Sequence, residues 1–362
     1  MKTIPSKVRI KDIAQRAGVS VGTVDRVLHG RPNVSAASKA KVDKVLNEID
    51  YHPNRMASAL ARTKDIQVIC LLPHLPLGGY WNDVIQGIKL GEQAFADFRL
   101  NISITFYDPY NYYSFEQAGQ EIITASPDGV ILVPPDNKYT ARLIDQLEIQ
   151  SIPFVYLDSE YKARTPLAFF GQHPQKSGFF AAKMLMLLNP QERPVLSFRK
   201  KSEGVVGSYQ QVKREEGFLE YMHTFHKDCP IHTLDLPAKH PEEDDTLLEI
   251  FFAQHPNAYV GVFFNSNSFI LANYLRKEQP NKDFHVIGYD LLAQNIEALQ
   301  GGNIDFLIAQ DPERQGYKSV QTLCEYILFK QRPEHIIHYM PIHLISKETL
   351  PFHLNNKLTD TE

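Results

Sequence analysis

Two periodicities divide this chain. Between residues 10 and 49 apolar positions recur at helical spacing: Ile13, Ala14 and Ala17, then Val24, Val27 and Leu28, then Val42, Val45, Leu46 and Ile49. Such i, i+3, i+4 stripes predict three short helices, over 11–17, from a cap at Ser20 through 28, and over 35–50, closing one small core. Gly18 supplies the permissive dihedral for the tight turn, and the Ser20 hydroxyl can accept from the free N–H groups of the second helix. From Asp65 onward the pattern changes. IQVICLL, NISITFY, GVILVP, PFVYL, LAFFG, VLSF, IHTLDL, YVGVFF, FHVIGY and DFLIA read as ten short strands. Segments of helical periodicity, such as 81–98, 115–125 and 210–226, lie between most of them. Alternation of this kind predicts parallel sheets covered on both faces by helices.

The expected fold class is therefore a small all-α helix-turn-helix headpiece followed by an α/β two-lobed domain. The boundaries expected are 1–52 for the headpiece, 53–64 for a linker and 65–362 for the large domain. Ten strands divide into two sheets, one lobe over about 65–171 and the other over about 172–310. The chain then crosses back, so that 311–337 rejoins the first lobe and 338–350 the second.

Once the second helix has buried its inner face, its free face carries Val21, Gly22, Asp25, Arg26 and His29. A helix of this kind fits the B-DNA major groove, where Arg26 can bind guanine O6 and N7 bidentately. Charge sharpens this picture. The formal net charge is -4, yet residues 1–64 hold 13 Lys and Arg against 5 Asp and Glu, and the remainder holds 25 against 37. A headpiece at +8 and a body at -12 confine nucleic acid to the N-terminal segment.

Open α/β sheets bind ligands beyond the carboxyl ends of their strands. Asp158 ends PFVYLD, Asn265 ends YVGVFFN, Asp290 ends FHVIGYD and Gln310 ends DFLIAQ, while Arg214 lies early in the helix after VLSFRK. Carboxylates, amides and one Arg facing a common cleft offer the dense hydrogen bonding a polyhydroxylated ligand needs. Tyr80 and Trp81, the latter the chain's only tryptophan, stand where an aromatic ring could stack on a sugar. Capping of the following helices is the alternative role for each strand-end residue, and Arg214 could instead pair with Glu215, Glu216 or Glu220.

No apolar run reaches membrane-spanning length and MKTIPSKVRIKDIAQ lacks a signal-peptide core, so the expected compartment is the cytoplasm. Cys70, Cys229 and Cys324 are far apart and read as buried thiols, not disulfides. The phosphate-cradling P-loop and G-x-G-x-x-G patterns and the G-x-S-x-G elbow are absent. His223 with His226, and His335 with His338, lack a third ligand at metal-site spacing, so neither metal nor cofactor is expected. Asp158 and Asp290 as an acid and nucleophile pair would make a glycosidase, but a hydrolase has no use for the basic headpiece.

The string DIAQRAGVSVGTVDRVLHG, followed by VSAASKAKVDKVLNEIDYHPNRMASALA, resembles the headpiece of the LacI family of bacterial transcription regulators from Val8 to Arg62. The resemblance implies base reading by Val21, Gly22 and Arg26, and phosphate contacts from Ser20, Asn33, Ser35 and Ser38. It also implies a hinge helix over 54–62, including Asn54 and Ala57, in which Leu60 wedges into the minor groove. Asp25 stands where the family usually has Ser; either it accepts from a cytosine amino group or it pairs with Arg26 or Lys11.

GYWNDVIQGIKLGEQAF, KREEGF, VIGYD and AQD are similar to segments of that family's periplasmic-binding-protein-like sugar domain, implying effector contacts from Arg214, Asp290 and Gln310. The chain departs from the family at Ser266, where an acidic residue often follows the Asn, and at His173. These features together lead to an expected sugar-responsive regulator, not an enzyme. It would bind a pseudo-palindromic operator as a homodimer and bind a small-molecule effector between its lobes. A sugar phosphate or nucleobase effector is the alternative, the former because Lys200 and Lys201 lie near Arg214 in sequence; a solute-binding module without DNA activity is a further one.

Overall fold

The computed structural model describes residues 9–28, 32–49, 64–74, 79–202, 208–280 and 282–355. The chain divides into two compact units, Met1–Arg62 and Thr63–Glu362.

The first unit holds α1 (Ile10–Ala17), α2 (Val21–Leu28) and α3 (Ala36–Glu48). Gly18 takes the left-handed conformation at φ 65°, and the Val19 N–H donates back to the Ala14 carbonyl at 3.0 Å, closing the end of α1. Ile13, Ala14, Ala17, Val24, Val42 and Val45 are buried together, with Val27, Leu28, Leu46 and Ile49 packed against them. The helical stripes of the sequence thus face one another across a single core.

In the second unit the described strands number twelve. The first sheet takes β1 (Ile66–Pro73), β2 (Leu100–Tyr107), β3 (Gly129–Leu132), β4 (Phe154–Leu157) and β5 (Ala168–Gln172) in the spatial order β2-β1-β3-β4-β5. The second repeats this with β6 (Val195–Lys201), β7 (Ile231–Pro237), β8 (Val260–Phe263), β9 (His285–Tyr289) and β10 (Phe306–Ala309) in the order β7-β6-β8-β9-β10. Beside β5 lies β11 (Ile337–Met340), parallel, and beside β10 lies β12 (His343–Ile345), antiparallel. Strands β3, β4, β5 and β8 are buried at every residue, as parallel strands covered on both faces must be.

The sequence pattern predicts ten strands and a return to the second lobe near residue 338. The pairing of Ile337–Met340 with β5 moves that crossing to Pro341 and Ile342. Both added strands are short and His-containing, IHYM and HLI, so the hydrophobic pattern that marks the other ten is missing.

The connecting helices are α4 (Tyr80–Ala94), α5 (Tyr112–Ala125), α6 (Lys138–Ile149), α7 (Pro174–Leu187), α8 (Tyr209–Phe225), α9 (Asp244–Gln254), α10 (Ser268–Glu278), α11 (Ala293–Gln300), α12 (Pro312–Phe329) and α13 (Leu350–Asn355). Helix α12 packs on α4 and on β3, β4 and β5, so the chain does return to the first lobe after β10. In the second lobe α7 and α8 cross at backbone contact. A Cβ on Gly178 would lie 1.8 Å from the Arg214 carbonyl oxygen, and one on Gly217 the same distance from that of Gln175. Glycine at both positions lets α8 sit close enough to carry its side chains to the edge of the sheet. No described helix is long and apolar enough to cross a membrane.

Candidate functional site

The strand ends are shaped alike in both lobes. After β4 the chain turns through Asp158 at φ 62°, and after β9 through Asp290 at φ 65°, and each backbone N–H donates to the neighbouring strand, to Phe170 and Ile308 respectively. β4 and β9 hold the same place in their sheets, so the two aspartates are counterparts across the cleft. Left-handed backbone is uncommon outside glycine and tolerated best by Asp and Asn, which is one reason an Asp fits at both corners.

Both carboxylates are buried. Asp158 accepts from the Tyr80 hydroxyl at 2.9 Å and from the Ser159 hydroxyl at 3.0 Å; Asp290 accepts from Ser266 at 2.7 Å and from the Gln310 amide at 3.0 Å. Gln315, in the first turn of α12, lies between these groups: its carbonyl oxygen lies 2.9 Å from the Tyr80 hydroxyl, whose single hydrogen it shares with Asp158, and its amide makes a long contact of 3.5 Å with Gln310. A polar chain therefore runs from Ser159 in the first lobe through Asp158, Tyr80, Gln315, Gln310 and Asp290 to Ser266 in the second. Gln210 on α8 adds a second link, its amide donating to the Asp158 carbonyl oxygen.

Arg214 is 2 % exposed. Its guanidinium lies 4.0 Å above the Tyr289 ring and Nη1 donates to the Phe264 carbonyl at 3.1 Å, while Nε and Nη2 are buried without a hydrogen-bond partner among the described residues. The surface ion pairs considered for it are taken up elsewhere. Glu215 binds Arg199, Glu216 binds Lys213, and Glu220 accepts from Gln175. A buried cation with two idle donors is costly unless something else receives them, and Gln210, one helical turn away, shows the matching deficit in its unpartnered Oε1.

Burial pushes the Asp158 carboxyl up to about 6 from 3.8; the Arg214 charge and the Tyr80 and Ser159 hydroxyls oppose the rise, and Asp290 adds to it. A carboxyl raised in the folded state holds its proton more tightly there than in the unfolded chain. Its contribution to stability is therefore fully present below 3.8 and is lost as the pH rises through 6. The ligand-free protein should lose on the order of 3 kcal/mol from this group between about pH 4 and 7, and Asp158→Asn should flatten that part of the melting profile. An equal slope in the variant would refute this origin.

Other expected residues are placed differently. Asn265 is used locally, its carbonyl accepting from Asn267 N–H at 3.0 Å and its amide donating to Gln211 at 2.8 Å, outside the chain that links the aspartates. Tyr80 takes part through its hydroxyl, with its ring nearly perpendicular to that of Trp81; Tyr80 is buried and Trp81 half-buried. His173 caps α7 by accepting from Lys176 N–H. Gln315, Gln210, Ser159 and Ser266 were not singled out as site residues. Gln210 lies four residues before Arg214 on the same helix face, and Ser266 sits where a carboxylate was counted as lost; the hydroxyl donates to Asp290 there.

In the headpiece Ser20 Oγ accepts from Thr23 N–H at 3.1 Å, capping α2, and Val21 is 49 % exposed, with Gly22 and Arg26 also on the surface. Asp25 is half-buried. Asn33 takes φ 69°, and Ser35 caps α3 through Ser38 N–H at 3.2 Å. His29, Asn54, Ala57 and Leu60 lie outside the described residues.

A sequence profile described as bacterial regulatory proteins, lacI family, matches residues 9–54, and one described as a periplasmic binding protein domain matches residues 69–331. The crystal structure of a protein from Bacteroides fragilis assigned as a LacI transcriptional regulator is 44 % identical, with a TM-score of 0.77, over 80 % of this chain and 99 % of that one. The chain belongs to the LacI family.

Catabolite control protein A of Streptococcus mutans is 37 % identical over 81 residues, 22 % of this chain. That alignment spans 24 % of the relative, so the likeness to that curated regulator concerns about a quarter of its length. GanP, a glucose-galactose binding protein from Geobacillus stearothermophilus, shares the fold at 19 % identity and a TM-score of 0.67, covering 80 % of this chain and all of that one. LacI-family membership accounts for the pairing of a basic helical headpiece with a two-sheet domain.

Proposed function

We propose that this LacI-family chain is a transcription regulator that binds a pseudo-palindromic operator as a homodimer, in the cytoplasm, with its operator affinity set by a small neutral carbohydrate held between the two lobes. The observation that carries the ligand reading is the buried Arg214, whose Nε and Nη2 have no partner among the described residues although the carboxylates of Asp158 and Asp290 are close by. Sugar hydroxyls both donate and accept. They suit a site that offers idle N–H donors, two carboxylate acceptors and the half-buried ring of Trp81. The fold neighbours GanP and a solute-binding protein from Agrobacterium vitis bound to alpha-D-tagatopyranose are sugar binders by name, which supports the same class.

A sugar phosphate fits less well. Lys200 gives its ammonium to both oxygens of Asp244, at 2.8 and 2.6 Å, and to the Pro237 carbonyl, and both partners are buried. Lys201 binds Asp235 at 3.1 Å, and Arg199 is shared between Glu215 and Asp235. These three cations are already neutralised, which leaves a dianion Arg214 among these neighbouring described cations.

A thermal-shift screen of the full chain discriminates the classes. A neutral mono- or disaccharide at about 100 times its dissociation constant should stabilise the second unit by roughly 2.7 kcal/mol. Shifts confined to sugar phosphates or nucleobases would overturn the ligand class while leaving the family intact.

A further inference from the structure

Among the described residues three segments cross between the lobes: Gln172 to His173 after β5, Gln310 to Asp311 after β10, and Pro341 to Ile342 between β11 and β12. One side chain touches all three. Gln172 stands in the first crossing and is fully buried; its Nε2 donates to the Ala309 carbonyl at 3.2 Å, next to the second crossing, and to the Pro341 carbonyl at 3.0 Å, in the third. The side-chain amide carries two diverging N–H donors and no net charge, so it can fasten two carbonyls in a dry place where Lys or Arg would bring an uncompensated charge. The matching residue in the second lobe is Gln310, since β5 and β10 hold the same place in their sheets. Its Nε2 holds Asp290 instead. Of two equivalent glutamines, one serves the cleft and the other serves the axis.

We propose that Gln172 is a hinge staple, a positioning residue that makes the three crossings turn as one axle. With the staple in place, opening or closing the cleft follows a single rotation; without it each crossing bends at its own dihedrals and the lobes adopt many relative orientations. This deepens the regulatory reading above, because control of DNA from a cleft requires that the cleft's closure have one defined outcome.

The test uses the full chain without ligand, so its failure is separate from a failure of the carbohydrate reading. Spin labels are attached at Ile149→Cys on α6 and Leu187→Cys on α7, positions that are 73 % and 69 % exposed and lie in different lobes. Cys70, Cys229 and Cys324 are buried and do not compete for the label. With the labelled chain diluted in excess unlabelled chain, so that a homodimer carries one labelled protomer, the inter-label distance distribution should be narrow when Gln172 is present. Gln172→Met, which keeps length and shape but removes both donors, should broaden it about two-fold. Gln172→Glu, which sets acceptors against the two carbonyls, should broaden it at least as much; if that variant does not fold, Gln172→Met decides alone. A purely stabilising role would lower the melting temperature and leave the width of the folded protein unchanged. An unchanged width in folded Gln172→Met overturns the proposal, whatever its melting temperature.

Discussion

Arg214→Ala should cost the effector site roughly two to four orders of magnitude in affinity, while operator binding by the ligand-free protein stays intact. Two donors of a buried guanidinium are offered to the ligand, and hydrogen bonds to a charged group are worth about 1.5–3 kcal/mol each, so losing both removes on the order of 3–6 kcal/mol. The charge that holds down the Asp158 carboxyl goes as well, so that group should take up its proton at higher pH in the variant. Helix α8 belongs to the second unit, not to the headpiece. Calorimetric titration with the sugar identified by thermal shift measures the first part, and duplex binding measures the second. Native-like sugar affinity in the variant would remove Arg214 from the site.

The second large effect is structural. Gly217→Ala should destabilise the second unit by about 3 kcal/mol or more, because the new Cβ meets backbone and no rotamer relieves it. The clash is with the Gln175 carbonyl oxygen at 1.8 Å, so α7 and α8 must separate, and Arg214 moves with α8. Gly119→Ala is the control. Its Cβ would meet the Leu143 side chain at an ordinary 3.4 Å, in a helix that favours alanine over glycine by about 0.8–1.0 kcal/mol. Scanning calorimetry of both variants should show a large fall in melting temperature for the first and little change for the second. Equal stability of the two would show that the α7/α8 crossing adapts more easily than its geometry implies.

The elements of this fold are largely legible in hydrophobic pattern because parallel strands buried on both faces leave nearly continuous apolar runs, and the headpiece helices bury one stripe each. The placement of Asp158, Asp290 and Gln310 at one edge is legible for a related reason: residues that follow the carboxyl ends of strands in open sheets share that edge. What could not be read was the direction each side chain takes after the strand ends. Asp158 and Asp290 turn through left-handed backbone, and that conformation, not sequence spacing, aims them at Tyr80 and Ser266. Gln315 and Gln210 start helices whose first turns converge on the same edge, which is visible only when α12 and α8 are known to come back beside it. Asn265 looked equivalent to the aspartates, yet its amide is spent on Asn267 and Gln211. Gln172 offered no sign at all, since its partners lie 137 and 169 residues away.

The most direct measurement of the whole account is the affinity of the full chain for its DNA with and without sugar. A duplex selected from a random pool should be pseudo-palindromic, and its binding should weaken steeply with salt, as expected where the +8 headpiece displaces counterions. At a saturating concentration of the neutral sugar that stabilises the second unit, its dissociation constant should change by about 5- to 150-fold. A sugar that binds the cleft and leaves that constant unchanged would contradict the coupling between the two units on which the proposed function depends.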